Sequence, residues 1–270
     1  MLSKKLLICL AMGAGCGSAA PKVEPAREPP PATFVMRSEV LGEDRRINVH
    51  TPPGFDPAVA IGVLYMPDGG QEEDFPHVTA TVDTLIRAGT MPPVLVVGIE
   101  NTQRRRDMTG PTEVASDHEI WPRVGGSAAF RAFIRDELMP RIRRDYRTTD
   151  DTGIIGESLA GLFIVETFLL EPALFRRYIA LSPSVWWNAR RLVDGAAPRL
   201  AALPPGPRAL FLASADEDII IPGVAFLGEL LRAVPPATLR WTLQPRPDLR
   251  HDNIYRSLEA DALTDAYRAF

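Results

Sequence analysis

One stretch in the middle of the chain, residues 152–187, constrains the fold more than any other. It opens with an apolar run, continues as Gly156-Glu157-Ser158-Leu159-Ala160-Gly161, and goes on as an apolar segment over 162–170. This order predicts a strand, a sharp turn and a buried helix, with Ser158 strained at the apex. Small residues are needed two places before and after Ser158, because strand and helix nearly touch there. Gly156 and Ala160 meet that need, although the common pattern has glycine at both places.

A glycine-bounded loop with a bystander serine is the alternative interpretation of this motif, and the flanking patterns favour the turn. The rest of the chain alternates between apolar runs and amphipathic segments. Predicted strands cover 34–40, 46–51, 61–66, 93–99, 153–155, 178–182, 209–213 and 238–243. Predicted helices cover 77–88, 130–146, 162–170, 222–233 and 253–270.

This alternation predicts an α/β domain over residues 34–270, with a mostly parallel central sheet, helices on both faces and an antiparallel N-terminal pair of strands. The chain has 270 residues, of which 46% are hydrophobic and 24% charged. That composition suits one large globular domain with a substantial core.

The N-terminal segment has the pattern of a secretory signal, with Lys4 and Lys5 followed by a short apolar run over 6–12. Small residues lead directly to Cys16, which is typical of a bacterial lipoprotein signal over 1–15 with Cys16 lipidated. Gly13 stands where that pattern usually has leucine, so ordinary cleavage near residues 19–20 is the alternative. Residues 16–33 are proline-rich and predict a disordered tether. We therefore expect an exported protein of the periplasm or cell envelope, anchored to the membrane only through this lipid.

The composition also argues against several classes of protein. The two cysteines, Cys9 and Cys16, both lie in the N-terminal segment, which leaves no disulfide or thiolate metal site for the domain. The formal net charge of −4 gives no indication of a nucleic-acid surface. The sequence has no metal-ligand motif and no phosphate-binding glycine loop, so we expect no metal and no organic cofactor. The oligomeric state is not predicted.

A serine nucleophile needs a base, which is usually a histidine because its pKa lies near the working pH. The chain has four histidines, His50, His77, His118 and His251. In folds with a serine at such a turn, the order along the chain is serine, acid, histidine. Only His251 follows Ser158, so His251 is the predicted base. The alternative is a solvated histidine in a polar loop.

Several separate motifs resemble the serine esterases of the α/β-hydrolase fold, a group that includes esterases opening catecholate siderophores such as enterobactin. The resemblance rests on LYMPDGG at 64–70, VVGIENTQRRRDMT at 96–109, FRAFIRDELMPRIRRDYRT at 130–148, the turn and helix after Gly156, and HDNIYRSLEADAL at 251–263. It covers residues 38–270. It implies a carboxylic-ester hydrolase that acts on a small-molecule ester through an acyl-enzyme, with a Ser-His-Asp triad. Glu157 departs from the family, whose members often have histidine there.

The acid is sought in the segment after the strand at 209–213, where Asp216, Glu217 and Asp218 compete. The fold often places its acid four residues before a proline that starts the next helix. Asp218 has that spacing to Pro222 and is the predicted acid, with Asp216 next. The other carboxylates are then read as parts of a solvated turn.

The oxyanion hole needs two backbone N–H groups. One is expected from Leu159, and the resemblance implies Gly69 or Gly70 for the other. The alternative for these glycines is a plain turn.

Two further segments follow strands at the expected site edge. Trp186 and Trp187 are predicted to stack on a flat acyl group or, alternatively, to make a hydrophobic lid contact. Arg104 and Arg106, with Arg105 between them, are predicted to bind an anionic substrate, and a solvated loop is the alternative.

The predicted function is therefore that of a serine esterase, and the resemblance favours a catecholate trilactone ester or a general carboxylic ester as the substrate. Three alternatives stay open: an esterase of feruloyl or acetyl carbohydrate esters, a non-catalytic ligand-binding protein of the same fold, and a peptidase or acyltransferase.

Overall fold

The strands of the domain form one sheet. The computed structural model describes residues 32–120, 122–233 and 238–270. Its strands are β1 (Thr33–Ser38), β2 (Glu43–His50), β3 (Ile61–Pro67), β4 (Val94–Ile99), β5 (Thr148–Glu157), β6 (Arg177–Leu181), β7 (Arg208–Ser214) and β8 (Leu239–Pro245). The signal peptide, Cys9, Cys16 and nearly all of the predicted tether lie outside the described residues.

The helices follow the strands in alternation. They are α1 (Phe75–Arg87), α2 (Arg104–Met108), α3 (Ala115–Ile120), α4 (Ser127–Phe133), α5 (Met139–Asp145), α6 (Leu159–Leu170), α7 (Arg191–Asp194), α8 (Ala197–Ala201), α9 (Ile221–Ala233) and α10 (Ile254–Tyr267). None of these described helices has both the length and the apolar character needed to cross a bilayer.

The sheet has eight strands in the order β1-β2-β4-β3-β5-β6-β7-β8. The pairs β1–β2 and β2–β4 are antiparallel, and every other pair is parallel. The predicted mostly parallel sheet with an antiparallel N-terminal pair is therefore confirmed. The carboxyl ends of β3, β5, β6 and β7 meet at one edge, which is where such sheets carry their sites.

Each face of the sheet is covered by helices. One apolar core lies under α4, α5, α6 and α9, and the second lies under α1 and α10. Helix α6 is buried on nearly every side, with only Leu170 exposed, which explains why its sequence is apolar without a polar stripe. Burial on both sides of the sheet likewise explains the continuous apolar runs of β3 and β4.

The helix predicted over 130–146 contains a widened turn. A π-helical turn, Ile134–Leu138, separates α4 from α5. Pro140, at the start of α5, has no N–H with which to continue the regular hydrogen-bond ladder. In the widened turn the Glu137 carboxylate accepts hydrogen bonds from Ser38 Oγ at 2.5 Å and from the N–H of Glu39 at 2.9 Å. The turn therefore fastens α4 and α5 to the β1–β2 hairpin.

Candidate active site

The turn at Ser158 has the strained geometry that its sequence predicts. Ser158 has φ 59° and ψ −119°, in a region that residues with a Cβ rarely occupy. Its N–H donates to the carbonyl of Leu181 at 3.0 Å, which fixes the turn to the neighbouring strand. A Cβ added to Gly156 would lie 2.6 Å from the Cβ of Ala160, so strand and helix leave no room there for a larger residue.

Backbone strain is concentrated at this edge of the sheet. Asp68, Ser158 and Ser182 directly follow β3, β5 and β6, and their φ angles are 54°, 59° and 37°. Each such residue costs free energy, and strain of this kind persists only where the surrounding structure holds it in place. The three neighbouring strand ends therefore form a rigid frame around the Ser158 hydroxyl.

The loop between β8 and α10 brings His251 onto Ser158. His251 Nε2 lies 3.0 Å from Ser158 Oγ, within hydrogen-bond distance. The side chain of His251 is 44% exposed, so its ring faces the cleft rather than the core. The loop is held in place where the Asp216 N–H donates to the Leu249 carbonyl at 2.9 Å. The predicted meeting of Ser158 and His251 is present in the structure.

Glu217, and not Asp218, is the carboxylate on the other side of the imidazole. Glu217 Oε1 lies 2.6 Å from His251 Nδ1, and the Glu217 side chain is 13% exposed. Asp216 and Asp218 both point to solvent. The turn that starts α9 sets these side-chain directions, because the Glu217 carbonyl accepts hydrogen bonds from the N–H groups of Ile220 and Ile221. This geometry corrects the expectation for Asp218, which rested on its distance in sequence from Pro222.

A second hydroxyl lies against Ser158. Ser184 is 3% exposed, and its Oγ lies 3.4 Å from Ser158 Oγ. The Ser184 N–H donates to the Ser158 carbonyl at 3.0 Å. Sequence reasoning missed both Ser184 and the position of Glu217. Two features of the sequence could have indicated them. Ser184 belongs to the Ser-Pro-Ser sequence directly after β6, and Glu217 has one methylene more than the two aspartates beside it.

The three predicted oxyanion donors differ in their surroundings. Leu159 is the first residue of α6, and N–H groups in the first turn of a helix have no partner within the helix. The Gly69 N–H donates to the Ile99 carbonyl at 3.0 Å, so it is used by the sheet edge. The Gly70 N–H donates to Glu73 Oε2 at 2.7 Å, so it is held by a side chain.

Arg104 and Arg106, the predicted anion-binding residues, are both paired with carboxylates. Arg104 makes a bidentate pair with Asp68, with Nε–Oδ1 at 2.6 Å and Nη2–Oδ2 at 2.8 Å. Arg106 lies 2.8 Å from Glu43 and 2.6 Å from Asp107. Arg104 lies in the wall of an open groove of about 410 Å³, which is lined by Thr102, Gln103, Arg104, Arg105, Pro122 and Arg123.

The two tryptophans have different environments. Trp187 is 4% exposed, and its Nε1 donates to the Gly110 carbonyl at 2.8 Å, which anchors the segment before α3. Trp186 is half-buried and packs edge-on against Trp187, with their ring centroids 6.1 Å apart. Trp187 therefore serves the packing of the loop, and Trp186 is the one with surface to offer a ligand.

Glu157, directly before Ser158, is held in an acidic environment. Its Oε1 is buried and has no hydrogen-bond partner in the described part of the chain. Burial raises the pKa of Glu157 to about 8, and the charges of Asp74 and Glu217 act in the same direction. Arg104 opposes them. Burial also raises the pKa of Glu73. At neutral pH the Glu157 carboxyl is therefore mostly protonated.

Helices α1 and α10 are joined beside the site by a buried histidine. His77 Nδ1 lies 2.5 Å from Glu259 Oε2, and His77 Nε2 lies 3.1 Å from Asp74 Oδ1. Burial alone would lower the pKa of His77, but its hydrogen bonds to Asp74 and Glu259 outweigh burial and raise the pKa to about 9. The ring of Tyr255 lies edge-on to His77, with centroids 5.0 Å apart.

Together these features define the class of protein. A mostly parallel sheet with helices on both faces, and a strained serine between β5 and α6 in contact with a histidine after the last strand, make this an α/β hydrolase. Residues 38–204 match the family described as "Putative esterase". The chain belongs to this esterase family.

Named relatives and solved structures agree with this placement. The ferri-bacillibactin esterase BesA of Bacillus subtilis is 34% identical over 179 residues, which are 58% of this chain and 60% of that protein. An iron(III) salmochelin esterase of Escherichia coli is 27% identical over 157 residues, 56% of this chain and 35% of that protein. The chain thus spans less than two thirds of either relative. An IroE-like serine hydrolase from Shewanella oneidensis has a TM-score of 0.78 at 25% identity, covering 87% of this chain and 79% of that one.

Proposed function

We propose that this protein is a serine esterase that hydrolyses ester bonds of catecholate siderophores. The observation that carries the proposal is the continuous contact from Ser158 through His251 to Glu217, with distances of 3.0 Å and 2.6 Å. The choice of substrate is supported by the relatives named as ferri-bacillibactin and salmochelin esterases. The groove beside Arg104 also carries Arg105 and Arg123, which suits an oxygen-rich anionic ligand.

Ser158 Oγ attacks the ester carbonyl while His251 Nε2 takes the hydroxyl proton. Glu217 accepts a hydrogen bond from His251 Nδ1–H, which selects the tautomer with a free Nε2 and stabilises the imidazolium that forms. The proton then passes to the leaving alcohol, and Ser158 is left acylated. Water attacks the acyl group with His251 again as base, which releases the acid and restores the serine.

The oxyanion that forms during attack is stabilised by the N–H of Leu159 and by a second donor after β3. Of the two predicted candidates, Gly70 suits the role better than Gly69. The Gly69 N–H is bonded to the backbone of β4, whose position the sheet fixes, whereas Glu73 can rotate away from the Gly70 N–H. Each such donor contributes about a hundredfold or more to the rate in enzymes of this kind.

The test is hydrolysis of p-nitrophenyl butyrate, ferri-bacillibactin and iron(III) salmochelin by the full-length protein. Ser158→Ala and His251→Ala are each expected to lower kcat by about a thousandfold or more, because the first removes the nucleophile and the second removes its base. Ser257→Ala and His118→Ala are matched controls at exposed positions and are expected to keep wild-type rates. Activity that survives both site variants would refute the proposed mechanism. Hydrolysis of the aryl ester but of neither siderophore would refute the proposed substrate class.

A further inference from the structure

Glu157 lies beside Ser158, and the proposed mechanism leaves its role open. It ends β5, pairs in register with Leu181 of β6, and precedes Ser158 directly. Glu157 is partly exposed, but its Oε1 is buried and lacks a hydrogen-bond partner among the described residues. A buried ionised oxygen without a partner is costly, whereas a neutral carboxyl at the same place is far less so.

The groups around Glu157 are mostly acidic. They come from the segment between β3 and α1, from α2, from the loop after β7 and from α10, and they are Asp68, Asp74, Arg104, Glu217 and Tyr255. Arg104 is the only cation among them, and its guanidinium is already bound by both oxygens of Asp68. Tyr255 is 4% exposed, and its hydroxyl has no partner within the described chain. The surroundings therefore favour a proton on Glu157.

The state of Glu157 matters most for a negatively charged substrate. The carboxyl groups of Asp68, Asp74 and Glu217 already act on Glu157, and a further negative charge at Glu157 would repel an anionic ester from the cleft. A protonated carboxyl instead adds no charge and offers an O–H donor to phenolate or carboxylate oxygens.

We propose that Glu157 works as a neutral carboxylic acid in the wall beside Ser158 and sets the pH range over which the site accepts anionic esters. This inference rests on the proposed esterase function. It assigns Glu157 to substrate selection and leaves the nucleophile, base and acid as described. A histidine at this place would gain charge as the pH falls, whereas Glu157 loses its neutral form as the pH rises.

The test uses two esters that differ in one charge, p-nitrophenyl butyrate and its 3-carboxy-4-nitrophenyl analogue. The full-length enzyme is assayed from pH 6 to pH 9.5, with spontaneous hydrolysis subtracted. In the wild type, KM for the carboxylated ester is expected to rise by about threefold to tenfold as Glu157 ionises, which occurs around pH 8. KM for the uncharged ester is expected to stay level. Deprotonation of His77 overlaps this window and also removes a positive charge beside the site, so the part of the rise that comes from Glu157 is the part that is lost in Glu157→Gln.

Glu157→Gln keeps the shape of the neutral acid and cannot ionise, so it is expected to abolish the alkaline rise in KM. Glu72→Gln makes the same change at an exposed position and is expected to show the same alkaline rise in KM as the wild type. Equal KM profiles for the two esters, or a rise that persists in Glu157→Gln, would overturn the inference while Ser158-dependent hydrolysis still stands. If Glu157→Gln fails to fold, the comparison of the two esters is repeated in His77→Gln, where a selective rise in KM that persists comes from a group other than His77 and its absence overturns the inference. Hydrolysis that does not depend on Ser158 would remove the proposed function and this inference together.

Discussion

At the scale of single residues, the contact between His251 and Glu217 determines how the site is built. The three carboxylates after β7 are adjacent in sequence, but a loop at the start of a helix turns successive side chains in different directions. Only Glu217 is turned inward, with its side chain 13% exposed, and it reaches the ring nitrogen that faces away from Ser158. Asp216 and Asp218 are left in solvent.

The first prediction follows from this contact. Glu217→Gln is expected to lower kcat by about a hundredfold to ten-thousandfold, because an amide donor favours the tautomer in which Nε2 cannot accept the serine proton. Asp216→Asn and Asp218→Asn are matched controls and are expected to stay within about threefold of the wild type. Steady-state kinetics on p-nitrophenyl butyrate provide the measurement. A larger loss in Asp218→Asn than in Glu217→Gln would return the role of the acid to Asp218.

At the scale of elements, the site depends on helices that pack on opposite faces of the sheet. Helix α6 carries Ser158 at its start, while α1 and α10 cover the other face and are joined through His77 and Glu259. Thr81 Oγ1 also donates to Glu259 Oε1 at 2.5 Å. Because α10 directly follows the loop that carries His251, this buried pair helps to hold the base in place.

The second prediction concerns the pH dependence of this helix pair. The pKa of His77 is about 9 in the folded protein and about 6.5 in an unfolded chain, so the folded state binds the proton more tightly. Its stabilising contribution is complete below pH 6.5 and is lost as the pH rises through 9. Within that window the free energy of unfolding is expected to fall by about 1.4 kcal/mol per pH unit at most.

Urea unfolding at a series of pH values tests this prediction. The quantity of interest is the difference in the free energy of unfolding between wild type and His77→Gln, because Glu157 also titrates in part of the same pH range and its effect cancels in this difference. That difference is expected to shrink between pH 6.5 and 9.5. His118→Gln changes an exposed histidine on α3 and is expected to unfold like the wild type throughout. A constant difference between wild type and His77→Gln would show that His77 carries no extra proton in the folded state.

At the scale of the whole molecule, we propose that the domain is exported and held at a membrane by a lipid on Cys16. The proposal rests on the sequence of the N-terminal segment, which lies outside the described residues. The domain itself begins with β1 at Thr33, paired with Asn48 of β2. The sequence between Cys16 and β1 is rich in proline, which would place the active site at a distance from the bilayer.

The third prediction separates lipidation from ordinary cleavage. Cys16→Ala is expected to move the exported protein from the detergent phase to the aqueous phase in Triton X-114 partitioning, because the proposed acyl chains could no longer be attached. Cys9→Ala alters the other cysteine of the same segment and is expected to keep the wild-type distribution. Unchanged partitioning of Cys16→Ala would exclude a lipid on this residue.

Local physical chemistry of the chain determined the fold and half of the site. The strained turn at Ser158 follows from small residues between an apolar strand and an apolar helix, and the parallel sheet follows from their repetition along the chain. The choice of His251 needed only chain order among four histidines. These features depend on residues that are neighbours in the sequence or on the order of residues along the chain. Both can be read directly from the amino-acid sequence.

The tertiary structure decided which groups meet across the cleft and which charges are already compensated. Ser184 reaches Ser158, and Glu217 rather than Asp218 reaches His251, because separate strand ends converge at one edge of the sheet. The sequence predicts Arg104 as an anion-binding residue, yet Asp68, from the end of another strand, already pairs with its Nε and Nη2. Sequence spacing predicts side-chain direction within one element, whereas contacts between elements depend on angles that only packing sets.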